Sequence, residues 1–165
     1  MKATSNRFTQ GIFAVLLLVG LMAGGAGADQ PEINMRGPAG WISSGEEWRY
    51  ALNGYDPVAY FTEGRPVMGD DAYVSTHRGA PFRFSSAEHR ALFDENPSRY
   101  VPRFGGYCAY AVSQGSTASG NPLFWTIYEG RLYLNLDENT QKIWLDNRDE
   151  FIEQAEQNWP AVLQE

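Results

Sequence analysis

The segment LFWTIYEGRLYLNL, residues 123–136, constrains the fold more than any other part of the chain. Along its first half Leu, Trp and Ile alternate with Phe, Thr and Tyr. A period of two residues is typical of a β-strand, in which successive side chains point to opposite faces. Glu129-Gly130 then supplies a two-residue turn, and RLYLNL follows as a returning strand. The segment therefore predicts an antiparallel β-hairpin.

A second hairpin and several helices are predicted around it. DAYVSTHRGAPFRF has the hairpin pattern, with Arg78-Gly79 at the turn. The next segment reads as a helix that begins at an N-cap Ser85, with Glu88 at capping-box spacing, and ends at Asn96-Pro97. The C-terminal stretch from 137 to 160 predicts one or two further helices. The fold class expected from this order is α+β, with small antiparallel β-hairpins packed against a capped helix and C-terminal helices.

Two short apolar segments are less clear. VAYF, residues 58–61, is expected to be a short strand or a buried extended segment. AYAVS, residues 109–113, fits a helical turn or a strand equally well. No internal repeat is expected from the sequence.

The N-terminal residues have the layout of a secretory signal peptide. Lys2 and Arg7 precede an apolar run, and the run ends in AGA at residues 26–28. A retained membrane anchor is the alternative, although the run is short for a hydrocarbon core about 30 Å thick. We expect an exported protein, periplasmic or extracellular, with no transmembrane segment after cleavage. The predicted division is a signal peptide at 1–28, an arm at 29–49 and a single domain at 50–162.

The charge is acidic and excludes two classes of partner. The chain has 20 Asp and Glu against 13 Lys and Arg, a net charge of −7. Two of the basic residues lie before residue 29 and no acidic residue does, so the remainder carries 11 − 20 = −9. Nucleic acids require a basic surface, and anionic lipid headgroups attract basic segments. We therefore expect neither as a partner.

The only cysteine, Cys108, lies in FGGYCAY, so the domain has no internal disulfide. An unpaired cysteine in an exported protein is a buried inert thiol, a metal ligand, or a reactive or intermolecular thiol. The only histidines are His77 and His89. Cysteine and histidine together are ligands that copper and zinc accept, and a Met68 thioether would favour Cu(I).

The run from Asn53 to Tyr100 resembles the YHS domain family. The matching residues, in order, are Asp56-Pro57-Val58, Gly79, Phe82, Phe84, Ser86, Phe93, Pro97 and Tyr100. The similarity continues through FGGYCAYAVSQG and NPLFWTIYEGRLYLN to the terminal NWP, which is similar to an exported YHS subgroup. It covers roughly residues 50–162.

The resemblance implies a metal-binding module. Metal-binding members of the family carry cysteines at three positions that here hold Ala59, Ser85 and His89. The implied site is rebuilt from His89 and Cys108, with His77 or Met68 as a third ligand. The implied metal is copper, or else zinc, and the implied function is non-catalytic metal handling or sensing, with another exported protein as a possible partner.

Two alternatives stay open at this point. In the first, Cys108 is a nucleophile activated by a histidine, as in a thiol enzyme. In the second, Cys108 is a buried inert thiol in a non-catalytic ligand- or protein-interaction module. A cleft lined by Tyr107, Tyr110 and Trp125 would then hold a small apolar ligand or a peptide.

Overall fold

A computed structural model describes residues 29–37 and 49–164. The predicted signal peptide lies outside the described residues, as do residues 38–48 of the predicted arm. The elements follow one another as α1 (Ala59–Thr62), β1 (Asp70–His77), β2 (Ala80–Phe84), α2 (Ala87–Glu95), α3 (Pro97–Tyr100), α4 (Ala109–Ser113), β3 (Asn121–Tyr128), β4 (Arg131–Asn135), α5 (Glu138–Asp146) and α6 (Arg148–Asn158). Short 3-10 turns lie at Ala51–Gly54, Arg103–Gly106 and Ala161–Gln164.

The strands form two antiparallel hairpins, β1 with β2 and β3 with β4. Their turns fall at Arg78-Gly79 and Glu129-Gly130, as the sequence predicts. All four turn residues have positive φ, between 49° and 79°. Two successive residues with positive φ match the right-handed twist of the flanking strands, which is why such turns connect hairpins. The mixture of two hairpins and several helices confirms the predicted α+β class.

Two units with the same element order follow each other along the chain. Each has a 3-10 turn, a short helix, a hairpin and a nine-residue helix. The second hairpin and helix begin 51 residues after the first, at residues 70 and 121, 80 and 131, and 87 and 138. Both hairpins also have a register shift near the start of the longer strand. The expectation of no internal repeat is therefore wrong at the level of structure.

The helix starts differ from the prediction in two places. Ser86, not Ser85, is the N-cap of α2, because its hydroxyl accepts the His89 backbone N–H at 3.1 Å. Residues 59–62 form the short helix α1 instead of a strand. The cause is Asp56, whose carboxylate accepts the Val58 N–H at 2.8 Å and so begins a helical turn.

Each nine-residue helix carries one large aromatic side chain into the core. Phe93 of α2 packs on Phe82 and Phe84 of β2, with ring centroids 4.9 and 5.0 Å apart. Trp144 of α5 packs on Tyr133 of β4 at 5.3 Å. Both Phe93 and Trp144 are fully buried, and burial of a side chain such as Phe contributes about 1.5–3 kcal/mol. These contacts hold the helices over their hairpins.

The part of the arm that the structure describes, residues 29–37, packs on the domain. Ile33 is buried in the core, and the Asn34 N–H donates to the Gly105 carbonyl at 2.9 Å. Tyr107 donates its hydroxyl to the Pro31 carbonyl at 2.8 Å. Among the helices of residues 29–37 and 49–164, none is long and apolar enough to cross a membrane.

Candidate functional site

Within residues 29–37 and 49–164, the side chain with the most hydrogen bonds is the buried carboxylate of Asp56. It accepts five hydrogen bonds: from the N–H of Val58, Ala59 and Ser85, from the Ser85 hydroxyl and from His89. The Asp56 side chain has no exposed surface. Burial of a charge is costly unless it is paired and hydrogen-bonded, and these donors meet that requirement. The carboxylate joins the start of α1 to the start of α2.

His89 lies between this carboxylate and the surface. Its Nδ1 is 2.6 Å from Asp56 Oδ2, and its side chain is 12% exposed. Because an ionised carboxylate only accepts hydrogen bonds, Nδ1 carries a proton and donates it to Asp56. The carboxylate thereby fixes the orientation of the ring and leaves Nε2 as the group on the outer side.

Thr62 is the partner of that outer nitrogen. Thr62 Oγ1 lies 3.1 Å from His89 Nε2 and 3.2 Å from the Val58 carbonyl oxygen. The hydroxyl has one proton. If the Thr62 hydroxyl donates its proton to the Val58 carbonyl, Nε2 must donate to Thr62, and the imidazole is doubly protonated. If the hydroxyl donates to Nε2 instead, the imidazole is neutral. In the neutral form the Nε2 lone pair accepts the hydrogen bond of the exposed Thr62 hydroxyl, and it becomes available to a metal ion or as a base when that hydroxyl turns away.

Cys108 is buried, with 1% of its surface exposed. Its sulfur lies 3.9 Å from the side-chain nitrogen of Asn135, which is also fully buried. Burial raises the pKa of the Cys108 thiol, and the N–H groups of Ala111, Leu136 and Tyr110 oppose this rise to a smaller extent. Cys108 is therefore a protonated thiol at neutral pH.

Cys108 and Asp56 occupy corresponding positions in the two units. Each follows the Gly-Tyr pair that ends a 3-10 turn, and each precedes a short helix. Asp56 accepts the N–H of Ser85, the residue after β2; Cys108 receives the N–H of Leu136, the residue after β4. The same backbone donors thus converge on a carboxylate in the first unit and on a thiol in the second.

Within residues 29–37 and 49–164, no hydrogen bond joins the four residues of the predicted metal site to one another. The side-chain partners of His89 are Asp56, Ser85 and Thr62, whereas the side-chain partner of Cys108 is Asn135. His77 ends β1 with its ring edge-on to Phe93, and Met68 is 45% exposed in the loop before β1. Within residues 29–37 and 49–164, no three His, Cys, Asp or Glu side chains are placed to hold one metal ion.

The three aromatic residues of the predicted cleft pack against different parts of the domain. Tyr107 is buried and bonded to the arm, Tyr110 packs edge-on against Phe151, and Trp125 packs edge-on against Tyr60. The contacts in the described part of the chain therefore give each of the three rings a different aromatic or arm partner.

A cavity of about 210 Å³ lies beneath the arm instead. We call it the arm cavity. It is lined by residues of the arm, of both hairpins, of the segment before Cys108 and of the chain after α6: Glu32, Ile33, His77, Arg78, Ser98, Val101, Pro102, Arg103, Phe104, Gly105, Arg131 and Trp159. Of the predicted site residues, only His77 lines it.

His77 makes stability depend on pH. Burial, and then the charge of Arg78, lower the pKa of His77 below its ordinary value of 6.5. Below pH 6.5 the imidazole of His77 is protonated in the unfolded chain but stays neutral in the folded chain. The free energy of unfolding therefore decreases as the pH is lowered, until the pH passes the pKa of His77 in the folded protein. We expect His77→Gln to lose less stability than the native protein between about pH 7.5 and about pH 5. Urea unfolding at both pH values measures this, and equal losses would contradict it.

Cys108 is expected to be protected from thiol reagents. Because the thiol is both buried and protonated, reaction requires local opening of the fold. An aromatic disulfide reagent should modify the native protein at least about 100-fold more slowly than the protein in denaturant. Free cysteine in the same two solutions corrects for the effect of the denaturant on the reagent. A native rate close to the unfolded rate would show that Cys108 is accessible.

The sequence analysis does not identify Asp56, which organises the site around His89, or the arginines that line the arm cavity. In the sequence Asp56 carries only the resemblance of Asp56-Pro57-Val58 to the YHS family, although an Asp before a helical turn is itself a capping signal. The three arginines of the arm cavity are at 78, 103 and 131, too far apart in sequence to form a recognisable cluster.

Comparison of the chain with protein-family models, with curated proteins and with solved structures finds no match. The resemblance to the YHS family stays a prediction.

Proposed function

We propose that this protein is an exported, non-catalytic binding module that holds a small ligand in the arm cavity. The observation that supports this is the composition of the cavity: six polar side chains beside apolar walls such as Ile33 and Trp159. Ligand sites typically combine mainly apolar walls with a few placed polar groups. At about 210 Å³ the cavity is smaller than the roughly 300–1,000 Å³ of drug-sized sites. A metabolite-sized ligand fits this volume.

The environment of Cys108 favours a non-catalytic binding module over a thiol enzyme. A nucleophilic cysteine is partly exposed and has a lowered pKa, whereas Cys108 is buried and its pKa is raised. In this proposal Cys108 is a packed thiol. The proposed export rests on the signal-peptide pattern of residues 1–28.

A set of small neutral and anionic aromatic compounds, added to the ¹⁵N-labelled protein, tests the proposal. We expect at least one compound to shift the Trp159 indole N–H and the Gly105 N–H in a saturable way. Ser98→Trp, at an exposed residue that lines the cavity, should abolish these shifts. Ser116→Trp, at an exposed turn that does not line it, should not. Absence of saturable shifts, or shifts that survive Ser98→Trp, would overturn the proposal.

Metal binding is the second candidate, favoured by the Asp56–His89 contact. A histidine that binds a metal commonly donates its other ring N–H to a carboxylate, which orients the ring. His89 has this arrangement, with Nδ1 on Asp56 and Nε2 toward exposed Thr62. The site would hold copper or zinc through Nε2, with the remaining ligands taken from solvent or a partner.

A Cu(I) titration against a chromophoric competitor separates the two candidates. Metal binding at His89 predicts stoichiometric uptake that His89→Ala weakens at least tenfold, about 1.4 kcal/mol, and that Cys108→Ser leaves unchanged. Equal weakening by both substitutions would instead support the site predicted from the sequence, with Cys108 as a ligand. Uptake that neither substitution changes would remove His89 and Cys108 as ligands.

A further inference from the structure

The arm cavity carries positive charge in an acidic protein. Among the residues that the structure describes, Arg78, Arg103 and Arg131 line it, against a single lining carboxylate, that of Glu32. Across the whole chain acidic residues outnumber basic ones by 20 to 13. A concentration of guanidinium groups in a concave site raises the local concentration of anions.

Two of the three arginines are already neutralised. Arg78 pairs with Glu32, which also lines the cavity, and Arg103 pairs with Glu156 of α6. Arg131 has no ion-pair partner among residues 29–37 and 49–164. Burial lowers the pKa of His77, so its ring is neutral at pH 7. One uncompensated positive charge therefore remains at the cavity.

The rest of the lining suits an apolar body. The walls include Ile33, Val101 and Phe104, together with the ring of Trp159. The Ser98 hydroxyl provides a further hydrogen-bond donor at the same cavity. A phosphate monoester carries about −1.5 to −2 charges at pH 7, more than one guanidinium neutralises. A carboxylate carries one charge, and its two oxygens match the paired N–H groups of arginine.

We propose that the ligand of the arm cavity is a small organic carboxylate with an apolar body, bound through its charge by Arg131. This inference rests on the proposed binding function and names the class of ligand. The apolar body lies against Trp159 and Ile33. Glu32 stays on Arg78 and excludes a second anionic group from that side of the cavity.

Benzoate and benzamide test the class, because they have nearly the same shape and differ in charge. We expect benzoate to bind at least tenfold more tightly than benzamide, as measured by NMR titration of the Trp159 indole N–H. Arg131→Met keeps an apolar stem and removes the charge, so it should abolish this preference. Arg90→Met, at an exposed arginine of α2 that does not line the cavity, is the matched control and should preserve it.

The outcomes separate this inference from the function on which it rests. If benzamide binds as tightly as benzoate, and Ser98→Trp blocks both, the ligand class is wrong and the binding function stands. If the preference for benzoate survives Arg131→Met, Arg131 is not the recognising residue. If neither compound shifts the Trp159 signal and no compound of the wider set does, both proposals fail.

Discussion

Asp56→Ala is expected to lower the free energy of unfolding by about 3–5 kcal/mol, the range found when one partner of a buried charge network is removed. The Asp56 carboxylate has no exposed surface and accepts hydrogen bonds from two segments of the chain. Alanine leaves the N–H groups of Val58 and Ser85 without acceptors in a site that water does not reach. Each orphaned buried donor costs about 1–3 kcal/mol.

The position of these donors explains why the loss should be cooperative. The Val58 N–H belongs to the start of α1, and the Ser85 N–H directly follows β2. Without the carboxylate, His89 loses the acceptor of its Nδ1 proton, and the link between α1 and α2 at this point is reduced to the contact of Thr62 Oγ1 with His89 Nε2. Urea unfolding followed by far-UV circular dichroism measures the effect.

Two matched substitutions give the prediction its control. Asp71→Ala removes a carboxylate that is 67% exposed and pairs with Arg83 at 3.1 Å, so it should cost only about 0–1 kcal/mol. Asp56→Asn keeps the shape but turns one acceptor into a donor that faces the existing donors, so it should behave much more like Asp56→Ala. If Asp56→Ala costs no more than Asp71→Ala, the network is not a structural centre.

The hairpins could be predicted because their signal is local. Alternation over six residues, followed by a turn with Gly at its second position, specifies both strands and their register. The helix α1 could not be predicted in this way. VAYF has the composition of a strand, and it becomes helical because Asp56 accepts the Val58 N–H and is itself held by Ser85, 29 residues away.

The internal repeat was hidden for a related reason. The two units share backbone turns rather than side chains: LNGY and FGGY both place residues at positive φ in the 3-10 turn. The corresponding acceptors, Asp56 and Cys108, have no chemical similarity that a sequence search for repeats would detect. A carboxylate and a thiol are equivalent here only because both receive converging N–H groups.

The candidate site was predictable only in part. His77 was singled out for its chemistry and does line the arm cavity. Arg131 was not, because arginine on a hairpin is usually a solvated surface residue and its environment depends on a distant arm. Arg131 belongs to a site only because the arm lies close to it in space. The position of the arm depends on how Glu32 and Ile33 pack beside Gly105.

The packing of the arm against Gly105 predicts a second large loss of stability. Gly105→Ala is expected to displace the arm and to cost about 2–4 kcal/mol in the free energy of unfolding. A Cβ on Gly105 would lie 1.8 Å from the Glu32 carbonyl oxygen, and this contact is with backbone that cannot rotate away. The arm must therefore leave, which exposes Ile33 and breaks the hydrogen bond from the Asn34 N–H to the Gly105 carbonyl. The conformational entropy that the released arm regains offsets part of this loss.

Gly64→Ala separates the steric effect from backbone strain. Gly64 has φ +65°, close to the +59° of Gly105, but an added Cβ there meets nothing within 4 Å. It should cost only the strain of a left-handed alanine, about 1 kcal/mol. Hydrogen exchange of the Asn34 amide reports on the arm directly: fast exchange is expected in Gly105→Ala and native protection in Gly64→Ala.

The same pair of variants connects the arm to the ligand. Glu32 and Ile33 form the arm side of the cavity, so release of the arm removes the Ile33 wall against which the apolar body of the ligand lies. Gly105→Ala should therefore lose benzoate binding while Gly64→Ala retains it. If Gly105→Ala exchanges the Asn34 amide rapidly and still binds benzoate with native affinity, the ligand does not need the arm, and its site lies outside the cavity.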